Sequence, residues 1–130
     1  MEFWAEHDCD RYVRENFFPD YSYTGLLIEV GAGPVDFYSF SKHFRNHNWR
    51  CIGFDPNPKF YEAHKNAGHE IYQLALADYK GVSSFTIVDT GHWGDNLEGI
   101  SYSALSVRYP CPHENKTNIK IKNFFICSIY

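Results

Sequence analysis

No stretch of this chain approaches the ~20 consecutive apolar residues that a membrane-spanning helix needs. There is no block of Lys and Arg, and the formal net charge is −4 at pH 7. Neither a nucleic-acid backbone nor an anionic membrane surface is therefore an expected partner. The N-terminal run MEFWAEHDCD is acidic and lacks the apolar core of a secretion signal. Without that signal the sequon Asn115-Lys116-Thr117 carries no meaning for glycosylation. Cysteine is sparse and unpaired in pattern. Cys9, Cys51, Cys111 and Cys127 form no C-x-x-C, so they read as reduced thiols rather than a disulfide framework, and a cytoplasmic location is expected. The pairs His7/Cys9 and Cys111/His113 leave one residue between the two members, where zinc ligands usually leave two to four, so no metal is expected. Internal repeats and low-complexity segments are also missing.

Aromatic rings are plentiful, with 10 Tyr, 11 Phe and 3 Trp. At 130 residues the chain suits a single domain with a modest core, read here as one unit over residues 1–130. Its organising stretch is Leu26 to Ser39, LLIEVGAGPVDFYS. Leu26, Leu27, Ile28 and Val30 make a short apolar run with Glu29 inside it, and Gly31-Ala32-Gly33 follows at once. Phe37, Phe40 and Phe44 then recur at helical spacing. The pattern predicts a buried parallel strand, a tight glycine turn, and a helix from about Asp36 to His47 whose start faces the turn and whose three phenylalanines are core. Glycines without Cβ let a ligand lie against the main chain, and a helix start offers free N–H groups. An adenosine-containing cofactor is the expected occupant.

Around that stretch, Met1 to about Asn16 reads as a helix ended by Phe17-Phe18-Pro19-Asp20. Arg50 to Phe54 is a second strand, stopped by Asp55-Pro56-Asn57-Pro58. Asn57 suits an N-cap and Pro58 the first helical position, so a helix runs from Lys59 to Ala67 with Gly68 as its stop. Glu70 to Leu76 is a third strand, Asp78 to Gly81 a turn, and Val82 to Val88 a fourth strand. Thr90 to Gly99 is a polar loop, Ile100 to Val107 contains a short strand, Tyr109 to Thr117 is loop, and Ile119 to Tyr130 is a final strand. Strands joined by short helices imply an α/β fold with right-handed parallel crossovers.

Two cofactors compete for the glycine turn. A dinucleotide fingerprint wants a third glycine where Asp36 stands, and that carboxylate would face a pyrophosphate with the wrong charge. S-adenosyl-L-methionine has no phosphate, and its ammonium suits an acid such as Glu29. Asp55 follows the turn by about 20 residues, where a carboxylate commonly accepts both ribose hydroxyls; a simple capping aspartate before Pro56 is the alternative. Asp78 suits either an adenine amine or the first position of a turn closed by Gly81. Glu29 suits either the cofactor's amino group or local N–H groups. His92, Asp95, Ser101 and Tyr102 fit an acceptor pocket and equally fit a polar surface loop. No residue stands out as a catalytic base.

Glu29-Val30-Gly31-Ala32-Gly33, Phe54-Asp55-Pro56-Asn57-Pro58 and Ala75-Leu76-Ala77-Asp78 with Gly81 together resemble the FkbM-like class of S-adenosylmethionine-dependent methyltransferases. Ser101-Tyr102-Ser103-Ala104-Leu105 looks like a serine-bearing segment further along such chains, so the resemblance spans about Leu26 to Leu105. It implies a Rossmann-like, mostly parallel sheet with flanking helices, shortened, with extra antiparallel C-terminal strands. It also implies that Glu29, Gly31, Ala32 and Gly33 flank the methionine part, that Asp55 and Asn57 hold the ribose side, and that Ala77 and Asp78 hold the adenine. The implied activity is methyl transfer, usually to oxygen, on a hydroxylated small molecule or glycan. Two departures stand out. Val35 replaces a further glycine, and Tyr130 ends the chain before the family's later acidic strand, so the domain is expected to lack its C-terminal part. The first strand would then have an open edge, a route to self-association, unless Ile119 to Tyr130 covers it or pairs with Val82 to Val88. A non-catalytic adenosine-binding or interaction module and a fragment of an NAD-binding oxidoreductase are the other functions in play.

Overall fold

The computed structural model describes residues 2–77 and, beyond them, the strands 81–89, 101–105 and 118–128. The expected loops at Thr90–Gly99 and Tyr109–Thr117, and Asp78 with them, lie outside the described residues. The chain divides into two compact units, Met1–Gln73 and Leu74–Tyr130.

The first unit is α/β. A single 3₁₀ turn, Glu6–Asp8, leads into helix α1, Cys9–Phe17. The expected N-terminal helix therefore begins later than its sequence pattern, because His7 and Asp8 both take left-handed backbone angles that break the spiral. At the other end Phe18 accepts the cap position and Pro19 blocks continuation, as the sequence requires. Strands β1, Leu26–Val30, β2, Arg50–Phe54, and β3, Glu70–Tyr72, form a parallel sheet in the order β1-β2-β3. Leu27 pairs with Cys51 and Gly53 with Ile71 in its register. Helix α2, Phe40–Asn46, joins β1 to β2, and α3, Pro58–Asn66, joins β2 to β3.

Asn57 caps α3 by accepting from Lys59 N–H at 3.0 Å, with Pro58 in the first turn, and Gly68 at φ +76° turns the chain away afterwards. An Arg50–Glu70 fork, 2.9 and 3.0 Å, bridges β2 and β3 on the surface.

The core of this unit is built of rings around a buried cation. Arg14 is fully buried. Its guanidinium lies 4.4 Å from the Tyr21 ring centroid, 5.4 Å from Phe44 and 5.6 Å from Trp49. Buried Asp10 accepts the N–H groups of Trp4 and Ala5 at 2.7 and 3.2 Å and so pins the N-terminal segment. Of the three phenylalanines read as core, Phe44 is buried. Phe37 is exposed instead, because Tyr38 sits at φ +52° and α2 starts only at Phe40.

The run Glu70 to Leu76 does not remain one strand. It leaves the first sheet after Tyr72, and Ala75–Ala77 forms β4 in the second unit, paired parallel with β7, Asn118–Ser128. The second sheet has the order β4-β7-β5-β6, with β5 at Gly81–Asp89 and β6 at Ser101–Leu105. Both β6 and β7 run antiparallel to β5, so the last strand pairs with the fourth-strand segment, one of its two expected positions. The β5–β7 register shifts between Ser83 and Phe85, the mark of a bulge.

Candidate functional site

Parallel pairing of β1 and β2 brings their C-terminal tips together. Gly31 N–H and Ala32 N–H both donate to the Phe54 carbonyl, at 2.7 and 3.2 Å, so the chain leaving β1 is tied to the end of β2. Gly31 and Gly33 have φ of +78° and +61°, angles at which a side chain is strained. A Cβ built on either glycine would meet nothing within 4 Å, so the turn faces open space on that side. Ala32 between them is buried and fixes the turn to the body of the unit.

Asp55 lies across the gap between the tips. Its Oδ2 accepts Gly33 N–H at 2.8 Å and its Oδ1 accepts Asn57 N–H at 2.8 Å. The residue is 5 % exposed. Burial pushes its carboxyl above the usual range, while the two N–H donors and nearby His64 pull it down less strongly. One carboxylate therefore closes the glycine turn and the start of α3 at once. A carboxylate offers about four lone-pair positions, and the backbone takes two of Asp55's. Asn57, buried at 1 % exposure, uses its side chain to cap α3.

Glu29, near the tip of β1, lies beside the start of α2. Burial is the largest influence on its carboxyl, and the Ser41 hydroxyl, Arg45 and the N–H groups of Phe40 and Ser41 act on it in the opposite sense. Arg45 in turn donates to Ser41 Oγ at 2.7 Å. Ser39, at the N-cap of α2, makes no side-chain cap and its hydroxyl is buried without a partner, so Glu29 is the acid beside that helix start. Burial pushes the Glu29 carboxyl up, and its Oε2 is enclosed with no hydrogen-bond partner. The segment Pro34–Ser39 separates the glycine turn from α2. The helix start accordingly serves Glu29 rather than facing the turn, a correction to the simple strand–turn–helix pattern. Asp36 is exposed and pairs with Lys42 Nζ at 3.0 Å.

Ala77 ends β4 in the second unit, opposite Ser128, and Asp78 lies outside the described residues. Ser101 and Tyr102 belong to β6, paired with Asp89 and Val88; His92 and Asp95 lie outside the described residues, as do Cys111 and His113.

Histidines form the part of the site that sequence reasoning passed over. His64, 1 % exposed, presents Nε2 to the Gly33 carbonyl at 3.0 Å and Nδ1 to His69 Nδ1 at 2.9 Å. Its signal was weak but present: Phe60 and His64 stand four apart, and both lie on the buried face of α3.

A second group, Glu2, His43 and His47, places possible ligand atoms within 4.8 Å of one another. Its chemistry does not suit a cation. His43 Nδ1 faces the Glu2 carbonyl at 2.9 Å and so carries the proton, and its Nε2 accepts from Arg14 Nε at 3.0 Å. No lone pair remains on His43, a guanidinium lies against it, and two ligands fall short of a zinc set. Cys9 and Cys51 are free thiols, and burial pushes Cys51 up to about 11, which keeps it protonated and unreactive.

No family model, curated protein or solved structure matches the chain.

Proposed function

We propose that the first unit is a shortened Rossmann-like module that binds S-adenosyl-L-methionine over the Gly31–Gly33 turn, and that the chain is a methyltransferase acting on the oxygen of a hydroxylated small molecule or glycan. The supporting observation is the joining of two parallel strand tips, one bearing glycines at positive φ beside open space and the other bearing Asp55. Ligands of open α/β sheets sit at the carboxyl ends of the strands, which is where both features fall. Glu29 Oε2 supplies a buried acceptor lacking a donor, and the ammonium of the cofactor's amino-acid end is a donor of the right charge. Asp55 would use the lone pairs its backbone contacts leave over for the ribose hydroxyls. Methyl transfer from a sulfonium needs in-line positioning more than acid–base chemistry, so the lack of an evident base does not count against it.

A non-catalytic adenosine-binding or interaction module is the second reading. The depth of Asp55 and the exposed apolar residues Leu26, Ile28 and Val30 favour it. Self-association through the outer edge of β1 belongs to that reading. An NAD-linked oxidoreductase fragment is weaker, although Lys42 offsets part of the Asp36 charge that disfavours a pyrophosphate. Calorimetric titration with S-adenosylmethionine, S-adenosylhomocysteine and NAD separates the three. Micromolar binding of the homocysteine product supports the methyltransferase, silence toward all three supports the interaction module, and NAD alone supports the oxidoreductase. Methyl transfer to a panel of hydroxylated acceptors then tells an enzyme from a binding module.

A further inference from the structure

The Gly31–Gly33 turn is held from both sides of one residue. Asp55 accepts Gly33 N–H, and His64 reaches the Gly33 carbonyl. A carbonyl can only accept, so His64 Nε2 carries a proton. In a neutral ring that leaves Nδ1 as an acceptor. The 2.9 Å contact to His69 Nδ1 then requires the proton between them to sit on His69. Gly68 at φ +76° and the His69 N–H to His64 carbonyl bond at 3.0 Å fold His69 back onto His64. A chain of donors thus runs from His69 through His64 to the glycine turn.

We propose that His64 and His69 form a proton-sensitive latch on the Gly31–Gly33 turn, with His64 as a positioning residue for whatever lies against that turn. The functional consequence rests on the ligand-binding role proposed above; the latch itself is a property of the fold. The proton count is what makes it a switch. A first added proton goes to His69 Nε2, or to His64 Nδ1 with the shared proton passing to His69 Nε2. Both contacts survive either way. A second proton sets two N–H groups against each other across 2.9 Å, and the pair must part. The charges around the pair come from three elements. Arg45 on α2 opposes protonation of both rings. Asp36, beyond the turn, favours protonation of both, and Asp55 at the tip of β2 favours that of His64. Burial dominates and holds both imidazoles below their ordinary value, His69 at about 4. At pH 7 the latch is closed and neutral.

The test uses the full chain without ligand, read by ring ¹⁵N spectra and by exchange of the Gly33 amide. At pH 7.5 His64 should show the Nε2–H form and His69 the Nδ1–H form. His69→Phe removes the donor and should speed Gly33 amide exchange roughly tenfold, while His69→Gln, which can still donate, should restore most of the protection. In the wild type a similar loss of Gly33 protection, taken relative to the intrinsic exchange rate at each pH, should appear on acidification toward pH 4. A His64 ring protonated at Nδ1 instead, or a Gly33 amide indifferent to His69→Phe, overturns the proposal. Failure of S-adenosylhomocysteine to bind bears on the function alone, since no step of this test uses it.

Discussion

The tips of β1 and β2 each carry an acid whose carboxyl burial pushes up, yet the two acids are wired differently. Asp55 joins segments that the chain separates, taking Gly33 N–H on one oxygen and Asn57 N–H on the other. Glu29 serves one neighbouring helix and leaves Oε2 enclosed and unpaired. A buried acceptor whose donors come from the fold holds the fold together. A buried acceptor short of a donor is a weak point unless something supplies one. On this contrast Asp55 is first a staple, the capping role the sequence allowed beside the ribose one, and Glu29 is the better candidate for a ligand contact.

The largest effect should follow removal of the staple. Asp55→Ala strands two N–H groups in a buried place, and each costs about 1–3 kcal/mol when its acceptor is lost. We expect a destabilisation of roughly 2–5 kcal/mol by urea unfolding and loss of any nucleoside binding with it. A melting temperature within two degrees of wild type would mean, by the usual scaling of about 4–8 °C per kcal/mol, that Asp55 ties nothing together.

Acidification should act next, and it separates the acids from the histidines by sign. His43, His64 and His69 have folded-state values pushed below the ordinary 6.5, mainly by burial. The unfolded chain therefore binds more protons below that pH. Their contribution to stability is complete above about pH 6.5 and is lost as pH falls, toward about 4 for His69, at no more than ~1.4 kcal/mol per pH unit per group. Glu29 and Asp55, raised, change stability in the opposite sense: the folded state takes their protons first, so they favour folding as pH falls. Unfolding midpoints should begin to decline below pH 6.5. A midpoint that rises as pH falls from 6.5 to 5 would show that the two acids, and not the histidines, set the pH dependence.

How far the sequence disclosed this arrangement depends on the range of the interaction. Asn57-Pro58 at a helix start and Pro19 after a helix end act within a few residues, and α3, β2 and the end of α1 follow from them. The glycine turn and Asp55 were legible as a pair because parallel strands place their tips side by side. That Asp55 would be consumed by backbone was not, since the Gly33 N–H it accepts belongs to another strand's tip. The late start of α2 escaped the phenylalanine spacing because Tyr38 at φ +52° interrupts what helical periodicity implies. The run 70–76 looked like one strand because its apolar pattern is continuous, while its pairing partner changes from β2 to β7. Arg14 was invisible and His64 nearly so for a related reason: a polar residue buried by partners distant in sequence leaves little local trace.

Gly31→Ala probes the turn without touching either acid. The site offers room for the methyl group, so the penalty is the left-handed angle itself, about 1–2 kcal/mol. Stability should fall by that amount in a urea titration, and nucleoside affinity should fall further because the methyl group occupies the open side. A variant that melts lower yet binds normally would move the ligand elsewhere.

The smallest effect on stability, and the sharpest on the contrast between the tips, belongs to Glu29→Gln. The amide keeps the shape and can still accept from α2, while the charge that burial disfavours is gone. We expect stability at pH 7 to stay within about 1 kcal/mol of wild type, with any change toward greater stability. Because the wild-type carboxyl is raised, that advantage should shrink as pH falls and Glu29 takes up its own proton. Affinity for S-adenosylmethionine should drop about tenfold or more if Oε2 receives the ammonium, since a charge-assisted bond becomes a neutral one. Adenosine, which has no ammonium, should bind both forms alike. Equal losses for the two ligands would place the acid's effect in the helix cap, and Glu29 would then be a staple like Asp55.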